Sequence, residues 1–89
     1  MNRVVYYTYI IECNDGSYYI GKTKDLEKRL KEHNGILPKG ARYTLPRRPV
    51  ILRYFERFET SGLALQREYA LKQLTHLEKK NLISDHFQP

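Results

Sequence analysis

The chain has 89 residues, 40% hydrophobic and 29% charged, which allows one hydrophobic core, leaves no room for two, and excludes both a disordered chain and a membrane-spanning segment. Its formal charge is +6, from 16 Lys and Arg against 10 Asp and Glu, and from Lys22 to Arg53 ten basic residues stand against three acidic ones, a local balance of +7. A polyanion is the partner this distribution fits, and residues 1–89 are expected to form a single domain.

The N-terminal stretch Met1-Asn2-Arg3-Val4-Val5-Tyr6 lacks the basic-then-apolar order of a signal peptide, so a cytoplasmic location is expected. Val4 to Cys13 alternates, with Val5, Tyr7, Tyr9, Ile11 and Cys13 on one side, and predicts a strand. Cys13 has no second cysteine to pair with and reads as a half-buried strand residue. Asn14-Asp15-Gly16 supplies turn chemistry before a second strand from Ser17 to Lys22. The loop length decides the mechanism: a three-residue loop with Gly16 left-handed places Tyr9 opposite Gly21 and Ile11 opposite Tyr19, whereas a two-residue loop puts Tyr9 and Tyr19 on opposite faces. The three-residue form is expected.

Thr23-Lys24-Asp25 holds cap candidates for a short helix from Leu26 to His33 that stops at Asn34-Gly35. Leu26 and Leu30 form its core stripe, with His33 beside Leu26 and Arg29 at the edge. Asn34 to Pro49 has no period of either kind and is expected to be a loop, carrying Lys39, Arg42, Arg47 and Arg48. A third strand follows from Val50 to Glu59, with Val50, Leu52, Tyr54 and Phe58 on one side and Ile51 and Phe55 on the other. Thr60 or Ser61 then caps a helix from about Leu63 to Leu74, with Leu63, Ala64, Ala70, Leu71 and Leu74 on its apolar arc. Thr75-His76-Leu77-Glu78 has the form of a capping box and predicts a separate last helix. The order ββαβαα implies an α+β fold, a three-stranded, mainly antiparallel sheet flanked by helices.

Tyr7-Thr8-Tyr9, then Tyr19-Ile20-Gly21-Lys22, then Asp25-Leu26-Glu27-Lys28-Arg29-Leu30 resembles the GIY-YIG nuclease superfamily, found in homing endonucleases, some restriction enzymes and the bacterial excision-repair nuclease. Gly40-Ala41-Arg42-Tyr43-Thr44, Arg48-Pro49-Val50, Ala64-Leu65-Gln66-Arg67-Glu68-Tyr69 and Lys72-Gln73-Leu74-Thr75 are similar to its small stand-alone bacterial branch. Tyr7 stands where the motif has glycine, and only the final tyrosine of the first element is kept.

The resemblance implies a metal-dependent endonuclease that hydrolyses DNA phosphodiester bonds, structure-selective and serving repair or recombination, with a non-catalytic nucleic-acid-binding module of the same fold as the alternative. It implies Glu68 as the single carboxylate ligand of Mg2+ (or Mn2+), Arg29 on the phosphate, and Tyr9 or Tyr19 orienting or deprotonating water. An unperturbed tyrosine titrates near ~10, so a tyrosine base needs a neighbouring cation, and Lys22 is the expected one. His33 is expected to bond the phosphate or position water. Gly21 would lie between substrate and sheet, while Lys39, Arg42, Tyr43, Arg47, Arg48 and Lys72 would contact nucleic acid, DNA in preference to RNA. No membrane partner is expected; the oligomeric expectation is a monomer or weak dimer, with a partner protein for targeting.

Blander roles compete at several of these positions. Tyr6, Tyr7, Tyr18 and Tyr54 are read as packing residues, and His76 and His86 as surface residues. Arg29 could pair with Asp25, and Glu68 with Lys72, as ordinary i,i+4 helix ion pairs.

Overall fold

Two strands and a tight loop set the geometry of everything that follows. In the computed structural model, which describes residues 4–86, β1 spans Tyr6–Glu12 and β2 spans Tyr18–Thr23; positions 1–3 of the N-terminal stretch read above lie outside the described residues. The Gly16 N–H donates to the Cys13 carbonyl at 2.9 Å and the Cys13 N–H to the Ser17 carbonyl at 2.8 Å, which closes a three-residue loop. Gly16 has φ of +83°, a conformation that costs glycine little and other residues more. The Asp15 carboxylate accepts from both the N–H and the hydroxyl of Ser17, tying the turn down. The resulting register sets Tyr9 opposite Gly21 and Ile11 opposite Tyr19, as the three-residue loop requires.

The third strand, β3 (Ile51–Phe58), pairs antiparallel with the other side of β1, giving the sheet order β2-β1-β3. Here the expected alternation fails. Ile10 faces Tyr54 but Ile11 faces Leu52, so Arg53 is an extra residue, a β-bulge. Leu52 therefore packs with Ile11 on one face, while Tyr54 packs with Ile10 on the other. The side shared by Val50, Leu52, Tyr54 and Phe58 in a regular strand does not exist.

Helices cover both faces. The first, α1 (Leu26–His33), is capped by Asp25, whose carboxylate accepts from the Lys28 N–H at 3.1 Å; its carboxyl end passes through Asn34 to Gly35, which has φ of +80°. With the loop that follows, it buries Tyr9, Ile11, Cys13 and Val50 against Leu26 and Leu30. Cys13 is a buried core residue, not the half-buried strand residue expected. On the opposite face, α2 (Ser61–Lys72) and α3 (His76–His86) enclose Ile10, Ile20, Tyr54 and Leu71 with Leu74, Leu82 and Ile83. Leu71 is fully buried, and truncating such a leucine to alanine costs about 2–5 kcal/mol.

Thr60 caps α2, so the helix begins and ends about two residues earlier than expected, and Leu63 and Ala70 are exposed instead of lying on its buried side. The capping box of α3 forms in full: the Thr75 N–H donates to Glu78 at 2.8 Å and the Glu78 N–H to the Thr75 hydroxyl at 3.1 Å. Among the described residues, no helix is long and apolar enough to cross a membrane.

Candidate active site

Tyr9 sits at the centre of the middle strand, 2% exposed, and its ring lies flat across Gly21 of the neighbouring strand. A β-carbon at Gly21 would stand 2.3 Å from the Tyr9 hydroxyl oxygen and 2.5 Å from its Cζ, so only glycine lets the ring rest there. Gly21 is consequently buried beneath Tyr9 and closed to a substrate, contrary to the expected contact. A cavity of about 10 Å³ remains between Tyr9, Arg29, His33 and the leucines of α1, room for one water at most.

The Tyr9 hydroxyl lies 2.8 Å from Nε2 of His33, the last residue of α1 and fully buried. Its other nitrogen, Nδ1, lies 3.0 Å from the hydroxyl of Thr44, also fully buried. Thr44 spends its proton on the Ala41 carbonyl at 3.1 Å, so it can only accept from His33. The network therefore assigns His33 as the neutral Nδ1–H tautomer and makes Nε2 the acceptor of the Tyr9 proton. Burial, reinforced by the Arg29 charge, lowers the His33 pKa to about 4, in keeping with a neutral ring. Burial raises Tyr9 to about 12, outweighing the opposing pull of Arg29, so its phenol keeps its proton at neutral pH. The Tyr19 ring meets His33 edge-on at 5.1 Å, and Tyr43 stacks on Tyr19 at 5.8 Å.

Arg29 is the cation beside Tyr9. Its charge opposes the rise in the Tyr9 pKa, and its guanidinium donates through Nη1 to Glu32 and to the Lys39 carbonyl, both at 2.8 Å. The alternative pairing with Asp25 does not occur, since Asp25 is occupied as the helix cap. Lys22 fails as the expected cation for a geometric reason. It is opposite Thr8 in the register, one residue out of phase with Tyr9, and so projects to the other face, where its ammonium donates to the Ser61 hydroxyl at 2.8 Å.

Glu68 of α2 is ion-paired with Lys72 at 2.9 Å, its side chain 16% exposed against 52% for the lysine. The pair named as the blander alternative thus forms, yet the Glu68 charge is also felt at Tyr9, where it adds slightly to the raised pKa. As a metal ligand Glu68 fits in kind. A carboxylate is a hard oxygen donor, and magnesium is commonly held by one or two carboxylates, with water and substrate phosphate completing its shell. The exposed Lys72 can swing aside on its flexible stem. No group of three metal-ligating side chains exists among the described residues.

The loop cations divide in two. The Arg48 Nε donates to the His33 carbonyl at 2.6 Å, closing the carboxyl end of α1, so Arg48 is a helix cap and not the expected nucleic-acid contact. Arg47 pairs with Asp15 at 3.0 Å and lies 4.0 Å over the Tyr43 ring, which occupies both residues. Lys39 and Arg42 are exposed, with no ion-pair partner among the described residues, which leaves them as the loop cations free for phosphates. Thr44 and Glu32 had no signal in the sequence: each matters through one contact made only after α1 and the loop fold together.

A small three-stranded sheet carrying this tyrosine pair, with an arginine and a histidine on its first helix, defines a class. Residues 5–81 match the GIY-YIG catalytic domain, and the chain belongs to that family. Membership points to a hydrolytic nuclease and so to a nucleic-acid partner. Among its relatives, a UPF0213 protein of Halobacterium salinarum is 45% identical over 78 residues, covering 88% of this chain and 99% of that one. Another, from Bacillus velezensis, is 50% identical over 80 residues, covering 90% and 79%. The solution NMR structure of a UPF0213 protein from Bacillus halodurans superposes with a TM-score of 0.60 at 39% identity, covering 96% of this chain and 88% of that one.

Proposed function

We propose that residues 1–89 act as one domain, a divalent-metal-dependent endonuclease of the cytoplasm that hydrolyses DNA phosphodiester bonds at structures arising in repair or recombination. The observation that carries this reading is the one-way hydrogen-bond chain from Tyr9 through His33 to Thr44, held beside the Arg29 guanidinium. A phenol with a pKa near 12 is a poor base alone. With its proton directed to His33, its oxygen presents a lone pair that can accept from and orient the attacking water. Arg29 neutralises charge on the phosphate. Glu68 would hold the cation, magnesium or manganese, which supplies further charge neutralisation and assists the leaving oxygen. Tyr19 supports the ring of His33 from the side, and Lys39 and Arg42 track the backbone.

Incubation with flapped, branched and single-stranded DNA plus magnesium is expected to give cuts that vanish in Arg29→Ala and Glu68→Ala. Equal cutting by both variants refutes the assignment. One observation favours a second reading, a binding module without catalysis: the Glu68 carboxylate is already paired with Lys72. That reading predicts salt-dependent binding indifferent to Glu68→Ala, and no cleavage product on any substrate.

A further inference from the structure

The register arranges the α1 face of the sheet into rows. Thr23, Tyr7 and Arg57 lie side by side across β2, β1 and β3, and in the next row Gly21, Tyr9 and Phe55 do the same. The row after that, Tyr19, Ile11 and Leu52, is roofed by Leu26 and Leu30 of α1. The roof stops short of the β3 end of the upper rows. Phe55 is 51% exposed although it is directly opposite buried Tyr9, and Arg57 beside it is exposed, with no ion-pair partner among the described residues. Tyr7 braces Phe55 edge-on, with ring centroids 5.9 Å apart. None of the six residues in the two upper rows is acidic.

We propose that Phe55, braced by Tyr7 and flanked by Arg57, is a stacking platform for an unpaired nucleobase next to the phosphate held by Arg29. This deepens the nuclease reading and rests on it. The occupant follows from chemistry and position. Phe55 offers an open aromatic face beside a cation, and base–aromatic stacking is the contact that single-strand-binding surfaces use. Arg57 supplies the charge for the adjoining phosphate. The patch is continuous with the reactive group: Phe55 is one strand spacing, about 5 Å, from Tyr9, and Arg29 lines the same cavity as Tyr9 and the β3 residue Leu52. Inside a duplex both faces of a base are already stacked, so the platform selects single strands, flaps or ends.

The test reads binding without cleavage, in chelator, using a short fluorescein-labelled oligothymidylate and a blunt duplex of equal length. Phe55→Ala is expected to weaken binding of the single strand roughly tenfold and to leave the duplex unchanged. The chain has no tryptophan, so in Phe55→Trp the new indole reports alone; it should keep single-strand affinity and be quenched when the oligonucleotide binds. Unchanged single-strand affinity in Phe55→Ala, an equal loss on both substrates, or an unquenched indole each overturns the proposal. Self-association abolished by Phe55→Ala with single-strand affinity intact would assign the patch to a second copy, and also overturns it. Stacking without any cutting in magnesium would defeat the nuclease reading alone; cutting without stacking would defeat the platform alone.

Discussion

Gly21→Ala should damage the site through a single added methyl. The added β-carbon would stand 2.3, 2.5 and 3.0 Å from the Tyr9 Oη, Cζ and Cε2 atoms. Ordinary contact needs about 3.5 Å or more, so the outer half of the ring must retreat by about 1 Å. Tyr9 is 2% exposed and packed beneath α1, and its hydroxyl cannot move so far and keep its 2.8 Å bond to His33. Overpacking costs about 1–3 kcal/mol and the lost hydrogen bond about 1 more, for a total of about 2–4 kcal/mol. A displacement of that size at a reacting group costs about a hundredfold in rate. Urea denaturation and single-turnover cleavage measure the two effects. The control is the same substitution in a Tyr9→Ala background, where the clash is gone and the added methyl should cost close to nothing. If Gly21→Ala destabilises both backgrounds equally, or leaves stability and cleavage intact, the reasoning about the ring over the glycine is wrong.

Three further outcomes follow from the same cluster. His33 titrates near 4 in the fold against 6.5 ordinarily, so between these values the unfolded chain binds a proton that the folded chain refuses. Stability from this source is intact above the upper value, falls by on the order of 3 kcal/mol as pH drops to the lower one, and is flat below. Urea midpoints across the interval should show that slope, and His33→Gln, which cannot titrate there, should lack it; parallel curves would contradict the shift. Thr44→Ser should keep the Nδ1–H tautomer in imidazole nitrogen NMR and keep cleavage, whereas Thr44→Val should lose both, and an unchanged tautomer in the valine variant counts against the relay. Lys22→Ala should cost about 1 kcal/mol or less through its Ser61 contact and leave cleavage near wild type, while Arg29→Ala abolishes it; an equal loss in Lys22→Ala would return that lysine to the site.

The parts of the fold legible in the sequence were those decided locally. Asn14-Asp15-Gly16 set the hairpin register, Asp25 and Thr60 capped their helices, and Thr75 with Glu78 announced α3, because each acts within a few residues of itself. What could not be read needed a partner distant in the chain. The bulge at Arg53 depends on two opposed helical layers demanding Leu52 on one face and Tyr54 on the other. Arg48 looked like a nucleic-acid contact by composition and became a helix cap because the loop folds back over α1. Tyr9, Arg29 and His33 could be picked out by resemblance, but their order of donation could not, since it hangs on Thr44 eleven residues beyond His33.

The misplacement of Lys22 shows how strictly the sheet governs this chemistry. Lys22 adjoins Gly21 in sequence, and Gly21 faces Tyr9, so nearness along the chain made the lysine the natural cation. A strand reverses its side chains at every residue, however, and the step from Gly21 to Lys22 carries the ammonium to the α2 face. A cation for Tyr9 had to come from above the sheet, and the arginine one helical turn before His33 meets that condition, since residues four apart share a helix face. His33 therefore accepts the hydrogen bond of the Tyr9 hydroxyl while the charge of Arg29 acts on it from the same helix. The Lys39 and Ala41 carbonyls hold Arg29 and, through Thr44, His33 from the loop side. The long loop thus helps to build the candidate site through its backbone, and two of its four cations, Lys39 and Arg42, are left exposed.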